Sequence, residues 1–325
     1  MASNEIDGTL GRAGFEGKDL LSTDNFSRED IEELISLADF FYSNPMAENF
    51  KFKSLALCIL EDSTRTYESF KCAMEFQGGK TTGRSGAEGT SIKKGESLED
   101  TIKVYDSYGV DCIVVRHKEA GSAARAAGVA RAPVINAGDG TNEHPTQTLV
   151  DLYTIIKRKE EIDGLTVGIV GDLKHGRTVH SLALGLAKYD TNIYFISQDG
   201  LRVGEEWMRR LSDLNAKVKE IPHTDLTSVC KELDVLYMTR LQAERFEDLD
   251  ERERIEKGYP RIGISILQHS KKDLMIMHPL PRKSGQDCEL SLELDNTPNA
   301  AYFEQTKYSL PLRQALLAEI FGIKI

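Results

Sequence analysis

Ser63-Thr64-Arg65-Thr66 sets hydroxyls and a guanidinium side by side, directly after the apolar run Leu55 to Leu60. An apolar run of that length reads as a buried strand. The segment 66–77 then carries Phe70, Ala73 and Met74 at helical spacing and stops at Gly78-Gly79. The four residues therefore fall where a strand becomes a helix. The unpaired N–H groups and the dipole of a first helical turn favour an anion there, and Arg65 with the hydroxyls adds charge-assisted donors. The pattern predicts a phosphate cradle. A capping serine beside a surface arginine accounts for Ser63 and Arg65 taken singly, but the full run at one junction is rarer.

Other apolar runs end in the same kind of chemistry. Arg116-His117 follows Ile113-Val114-Val115, and Asn136 with a glycine-rich loop leads from Ile135 to His144-Pro145-Thr146-Gln147. Gly171-Asp172 and then Arg177 follow Val167 to Val170, and Thr239-Arg240-Leu241-Gln242 follows Val235 to Met238. His278-Pro279-Leu280-Pro281-Arg282 closes the run Leu274 to Met277. Open α/β sheets bind ligands beyond the C-terminal ends of their strands, so the shared position predicts a site that grips a polyanion. Singly, each residue has an ordinary account. A strand-end arginine is usually salt-bridged, His144 caps a helix, Gln147 faces solvent, and His180, in mid-helix, reads as a core residue.

Apolar strands alternate with amphipathic helices along most of the chain. Strands are predicted at 54–60, 111–115, 132–136, 165–170, 191–197, 216–221, 234–239 and 273–277. Helices are predicted at 27–42, 66–77, 98–107, 145–158, 176–188, 204–213, 226–232 and 311–321. That alternation predicts an α/β protein of two doubly wound domains, each a mostly parallel sheet with helices on both faces. A long helix from Pro145 to Arg158, with Leu149, Leu152, Tyr153 and Ile156 on one face, marks the division. The expected domains are 1–150, joined by the C-terminal helix 305–325, and 151–304.

The chain has 325 residues, which suits two cores. Its net charge of -11 argues against nucleic acid or an anionic membrane surface as partner, and makes arginines gathered at strand ends the more telling. Five scattered cysteines without a C-x-x-C pair read as packed free thiols of a reducing compartment. No apolar span approaches membrane length and the N-terminus lacks a signal pattern, so the cytoplasm is the expected location.

Several chemistries are excluded by spacing. Gly79-Lys80-Thr81 resembles the end of a P-loop, but Met74 stands where that loop needs glycine. Gly168, Gly171 and Gly176 lack the dinucleotide-binding spacing. There is no H-E-x-x-H, no paired His/Cys ligand set and no G-x-S-x-G elbow, so neither a metal nor a cofactor is expected.

The residues are similar to a known family. Ser63-Thr64-Arg65-Thr66 with Ser69-Phe70 resembles the carbamoyl-phosphate signature of the transcarbamylases, and His144-Pro145-Thr146-Gln147 with Leu149 and Asp151 resembles their H-P-x-Q-x-L-x-D signature. Within the family, Lys94-Gly95-Glu96-Ser97, Val115-Arg116-His117, the segment Gly171 to Ser181, Thr239 to Arg245 and Met277 to Arg282 side with members that use L-aspartate. An ornithine-using relative would show His-Cys-Leu-Pro where this chain has His278-Pro279-Leu280-Pro281. The likeness runs from about Leu20 to the C-terminal helix.

The resemblance implies transfer of a carbamoyl group from carbamoyl phosphate to the amine of L-aspartate, an early step of de novo pyrimidine synthesis. It implies that Ser63, Thr64, Arg65 and Thr66 hold the phosphate, while Arg116, His144, Gln147 and the backbone of Leu280 and Pro281 hold the carbamoyl end. Arg177, Arg240 and Gln242 would take the carboxylates of aspartate. Lys94, with Ser91 on the same loop, would reach a neighbouring subunit's site in a homotrimer. Catalysis would fall to Arg65, Thr66, Lys94, Arg116 and His144. Whether a regulatory chain or a larger pyrimidine-pathway assembly joins in is left open, as is the part played by Tyr67 and Glu68, which depart from the family pattern after the cradle.

Overall fold

Among the described residues every strand is parallel to its neighbours, in two separate sheets. The structure is a computed structural model that describes residues 14–86, 91–285 and 288–325. Two compact units divide the chain: residues up to Gly140 together with Tyr308–Ile325, and Thr141–Lys307.

The first unit holds β1 (Ser54–Ile59), β2 (Lys80–Ser85), β3 (Cys112–His117) and β4 (Val134–Asp139) in the order β2-β1-β3-β4. The middle strands β1 and β3 are nearly continuous apolar runs, as covered parallel strands require. Around the sheet lie α1 (Arg28–Ser43), α2 (Thr64–Glu75), α3 (Leu98–Ser107) and α4 (Ser122–Ala127). Helix α1 starts where Ser27 and Asp30 form a reciprocal capping box, and it buries Ile31, Leu34, Ile35 and Ala38. Helix α2 begins two residues earlier than its spacing predicts and buries Phe70, Ala73 and Met74. Strand β2 has no counterpart among the predicted strands. Lys80-Thr81-Thr82-Gly83-Arg84-Ser85 is polar throughout and lies at the sheet edge, so no apolar alternation marks it.

The second unit holds β5 (Thr166–Val170), β6 (Asn192–Ser197), β7 (Lys217–Pro222), β8 (Val235–Met238) and β9 (Met275–Met277), in the order β7-β6-β5-β8-β9. Its helices are α5 (Pro145–Lys159), α6 (Arg177–Leu186), α7 (Glu205–Asp213), α8 (Leu226–Val229) and α9 (Leu249–Lys257). The last helix, α10 (Tyr302–Ile320), starts in this unit's span of the chain and ends in the first unit's. It begins well before the predicted 311, because Pro311 is accommodated inside the helix.

The chain passes between the two compact units at Gly140/Thr141 and again at Lys307/Tyr308, which puts all of α5 in the second unit. The buried Asp151 of α5 bonds Tyr237 of β8 and Gln305 of α10, so the helix is part of the second core.

The five cysteines are free thiols. Burial pushes the Cys58 thiol up to about 12 and that of Cys230 to about 11, so both stay protonated and inert. Two sheet edges are covered by chain: Leu20 bridges to Ile135 on β4, and Ala300 to Ile276 on β9.

Candidate active site

In each sheet the strand order reverses once: between β1 and β3 in the first unit, and between β5 and β8 in the second. Loops leaving the C-terminal ends of two such strands diverge to opposite faces and open a crevice, the usual ligand position in this architecture. The residues singled out by the sequence fall largely at these two places.

In the first unit, Ser63 is the N-cap of α2 in extended conformation, yet its side chain caps no helical N–H. Its hydroxyl bonds the hydroxyl of buried Thr66 at 2.9 Å, and its backbone N–H donates to the Ser85 hydroxyl at 3.2 Å. The first turn of α2 therefore keeps its N–H groups clear of a side-chain cap, with exposed Thr64 and Arg65 beside them. Arg116 pairs in register with Ile59 at the end of β1, and its carbonyl accepts from the Leu60 N–H at 2.8 Å. That bond draws the Arg116 strand end to the loop that leads into α2. The Arg116 side chain is 13% exposed, ion-paired to Glu61 at 3.2 Å and donating to the Ala137 carbonyl at 3.3 Å. Arg84, at the end of unpredicted β2, adds a further guanidinium to this edge.

Ser91 and Lys94 lie on an exposed single turn, Ser91–Lys94, with Lys93 exposed as well. Tyr67 donates weakly to the Gly83 carbonyl at 3.5 Å, while Glu68 is exposed. His117 is buried, with Nδ1 accepting from the Glu119 N–H, and burial lowers its pKa. It is a neutral structural residue.

In the second unit, His144 is the N-cap residue of α5 and Pro145 fills its first turn. The His144 N–H donates to the Ser181 hydroxyl at 2.8 Å, and ring Nδ1 lies 3.3 Å from the Thr146 hydroxyl. In the tautomer in which that hydroxyl donates to Nδ1, the ring proton lies on Nε2. One turn on, the half-buried Gln147 donates its amide nitrogen to Asp151 at 2.7 Å. Asp151 is fully buried, and burial raises its carboxyl to about 7 against the opposing bonds from Gln147, Tyr237 and Gln305.

Gly171 follows β5 with φ +121°, a conformation open to glycine. A Cβ there would collide with the Tyr259 hydroxyl and the Thr239 backbone. Asp172 follows, fully buried. It accepts from the His175 N–H at 3.0 Å and the Gln242 N–H at 3.1 Å, so one carboxylate ties the loop after β5 to the loop after β8. Tyr259 reinforces the tie, donating to the Thr239 carbonyl at 2.7 Å and accepting from the Asp172 N–H at 2.8 Å. On this frame stand Arg177, half-buried at the first position of α6, and Arg240 with Gln242 after β8. Arg240 is held by Glu244 through both terminal nitrogens, at 3.1 and 2.5 Å, and reaches the Gln242 side-chain oxygen at 3.4 Å. Burial opposes the ionisation of Glu244, but the Arg240 hydrogen bond outweighs it and holds the carboxyl low.

After β9, buried His278 accepts the Leu280 N–H on Nδ1 at 2.8 Å and bonds Glu289 through Nε2 at 2.9 Å. Leu280 sits at φ 49° before a cis bond to Pro281; Leu280 is partly exposed and Pro281 exposed. His278 thus shapes the turn that presents their backbone. Arg282 does not join the cluster. It is committed to Asp295 at 2.6 and 2.5 Å and lies over the Tyr302 ring. His180 is the core residue its mid-helix position predicts, buried between backbone carbonyls and stacked on Trp207 at 4.3 Å.

Sequence reading did not give Asp172, Tyr259, Glu244, Glu289 or Arg84 a role. Glu244 was readable as an i, i+4 partner of Arg240, whereas Tyr259 is distant in sequence and carries no local signal. Among the described residues no three His, Cys, Asp or Glu side chains form a metal-binding group, and no helix is long and apolar enough to cross a membrane. Each unit therefore offers cationic and neutral donors at its own crevice. The first suits a compact oxyanion and the second a carboxylate-bearing molecule.

Two family models match the chain: the aspartate/ornithine carbamoyltransferase carbamoyl-P binding domain over residues 18–157, and the Asp/Orn binding domain of the same family over 163–320. The chain is 46% identical over 313 residues to the aspartate carbamoyltransferase catalytic subunit of Thermococcus onnurineus, covering 95% of this chain and 98% of that one. The corresponding subunit of Methanothrix thermoacetophila is 47% identical over 304 residues, with 93% and 97% covered. Among solved structures, Trypanosoma cruzi aspartate transcarbamoylase with carbamoyl aspartate and phosphate superposes with a TM-score of 0.89 at 35% identity, covering 97% of this chain and 99% of that one. The same enzyme with carbamoyl phosphate and aspartate gives 0.88 at 34%, covering 96% and 99%.

Proposed function

The chain belongs to the aspartate/ornithine carbamoyltransferase family, and from that premise we propose that it transfers the carbamoyl group of carbamoyl phosphate to L-aspartate. The products are N-carbamoyl-L-aspartate and phosphate, at an early step of pyrimidine synthesis. The observation that carries the choice of aspartate is the pair Arg177 and Arg240. They leave neighbouring strands β5 and β8 on loops that Asp172 fastens together. Two guanidiniums in that position suit a dicarboxylate, whereas the side-chain amine of ornithine would need acids there.

Carbamoyl phosphate is a mixed anhydride and already activated, so no covalent enzyme intermediate is required. The N–H groups at the start of α2, with Ser63, Thr64, Arg65 and Thr66, bind its phosphate. His144, donating from Nε2, and Arg116 bind the carbonyl oxygen. Gln147 and the Leu280 and Pro281 backbone carbonyls receive the amide end. Arg177, Arg240 and Gln242 fix the carboxylates of aspartate. Its neutral amine then attacks the carbonyl carbon, a C–N bond forms, and the oxygen becomes an oxyanion facing Arg116, His144, Thr66 and Arg65. The C–O bond to phosphate breaks, and the departing phosphate takes the amine proton. Positioned donors of this kind contribute on the order of 10²–10³ each in rate, and holding two substrates in register contributes much of the rest.

The first unit is assigned to carbamoyl phosphate and the second to aspartate, with α5 supplying His144 and Gln147 to the carbamoyl end. The assembly is assigned as a cytoplasmic homotrimer in which Lys94 and Ser91 serve a neighbouring subunit's site. Their exposure on the surface of the first unit supports that role. A colorimetric ureido assay with carbamoyl phosphate and either amino acid tests the reaction: product is expected with L-aspartate, and product with L-ornithine alone overturns the reading. Mixing inactive Arg65→Ala and Lys94→Ala chains tests the shared site, because hybrids regain activity if Lys94 acts across subunits.

A further inference from the structure

Asp151 is fully buried on α5 near the proposed site, and it is not a substrate contact. Its bonds come from neutral donors on three elements. One oxygen accepts from Gln147 Nε2 at 2.7 Å and Gln305 Nε2 at 2.5 Å, and the other from the Tyr237 hydroxyl at 2.8 Å. No cation is among these partners. A buried carboxylate without one is costly to retain.

The chemistry of Gln147 gives it a use. A primary amide has a donor end and an acceptor end, and a free side chain can present either. A carboxylate only accepts, so it takes the donor end. Gln147 is then left with its carbonyl oxygen on the partly exposed side. We propose that Asp151 is the positioning residue that locks Gln147 in this sense, so that Gln147 accepts from the NH₂ of the carbamoyl group and sets the preference for carbamoyl phosphate over acyl phosphates that lack that NH₂.

The inference rests on the reading of the site as a carbamoyl phosphate site. Tyr237 and Gln305 fit it. They hold the carboxylate from β8 and α10, so the Asp151 oxygen facing Gln147 is fixed by elements other than α5 itself. Burial raises the Asp151 carboxyl to about 7. When protonated it can donate to the Gln147 oxygen, which removes the fixed sense of the amide. The lock therefore belongs to the ionised form.

The test compares dissociation constants of carbamoyl phosphate, acetyl phosphate and inorganic phosphate for the full chain, by calorimetry without aspartate at pH 8, where the Asp151 carboxyl is ionised. Acetyl phosphate replaces the NH₂ by a methyl group and keeps the phosphate. The parent is expected to prefer carbamoyl phosphate by about tenfold or more. Gln147→Ala is expected to erase most of that ratio, and Asp151→Ala to erase as much, while acetyl phosphate and inorganic phosphate bind as in the parent. The double variant is expected to lose nothing further. If Asp151→Ala does not fold, Asp151→Asn keeps the volume but offers one accepting oxygen where the carboxylate offers two, and it is expected to lower the ratio about threefold.

A parent that binds acetyl phosphate equally well overturns the inference. So does an unchanged ratio in whichever Asp151 variant folds, or uniform weakening of all three ligands, which marks a merely structural residue. The ratio is measured without aspartate, so failure of the lock is separate from failure of the assigned transfer, which the ureido assay reads.

Discussion

Glu244 and Arg240, one helical turn apart in sequence, meet end on, with each carboxylate oxygen receiving one terminal guanidinium nitrogen at 2.5 and 3.1 Å. The pair holds the plane of the Arg240 guanidinium before any ligand is present. Removing Glu244 frees that plane and adds the ordering of a long side chain to the work of binding. Glu244→Ala is expected to raise the KM for aspartate several-fold, with the KM for carbamoyl phosphate unchanged. Steady-state kinetics with each substrate varied in turn checks it, and equal changes in both constants would contradict it.

Arg65 is exposed on the first turn of α2. Its loss should cost the fold little, within about 0.5 kcal/mol, as for other surface positions. Its proposed place on the developing oxyanion and phosphate makes the catalytic cost large. Arg65→Ala is expected to lower kcat by at least about 10²-fold with an unchanged urea midpoint. Near-parental turnover would remove it from the cradle.

The buried carboxyl of Asp151 also links folding to pH. Burial raises it from 3.8 to about 7, so between those values the native state binds a proton that the unfolded state has released. Its contribution to stability is fully present below about pH 4, is lost as pH rises through about 7, and is flat above. Asp151→Asn lacks that dependence. Urea titrations of parent and variant at pH 5 and pH 8 should show the variant gaining relative to the parent by a few kcal/mol at the higher pH. A pH-independent difference would show that the carboxyl is not so displaced.

Arg313 of α10 is a further buried charge. It is 4% exposed, 4.7 Å from the Phe70 ring centroid and bonded to the Ser69 hydroxyl, and burial pushes its pKa down to about 9. Desolvating a guanidinium without an acid partner costs more than one hydrogen bond and a ring contact return. Arg313→Met is expected to leave stability within about 1 kcal/mol of the parent or to raise it. A loss of about 3 kcal/mol or more would show that the guanidinium is worth more than these contacts.

The sequence reading succeeded where the physics is local or strongly apolar. The middle strands β1 and β3 announce themselves because both of their faces are covered, and Ser63 to Thr66 lie at a strand-to-helix junction visible within four residues. The Gln147–Asp151 bond is an i, i+4 pair and was in reach of a helical reading. What escaped depends on long separations or on an absent signal. Tyr237 lies 86 residues from the carboxylate it bonds, and Tyr259 is 87 from Asp172. Strand β2 escaped because an edge strand made of threonine, glycine, serine and charge has no apolar face to report. With it went the positions of Arg84 and Ser85. The start of α10 was misplaced because proline reads as a helix beginning, while Pro311 lies in its interior.

The same polar β2 bears on how the protein behaves in a crowded solution. Of the four outer strands, β4 and β9 are capped by bridging chain at Leu20 and Ala300. The other two, β2 and β7, carry Lys80 and Arg84, and Lys217 and Lys219, along their rims. Charged side chains along an edge must be desolvated before another strand can pair with it, which disfavours such pairing. Among the described residues each outer strand is thus either covered by chain or edged with charge, and the strand hardest to recognise from composition is one of those that keep the molecules apart.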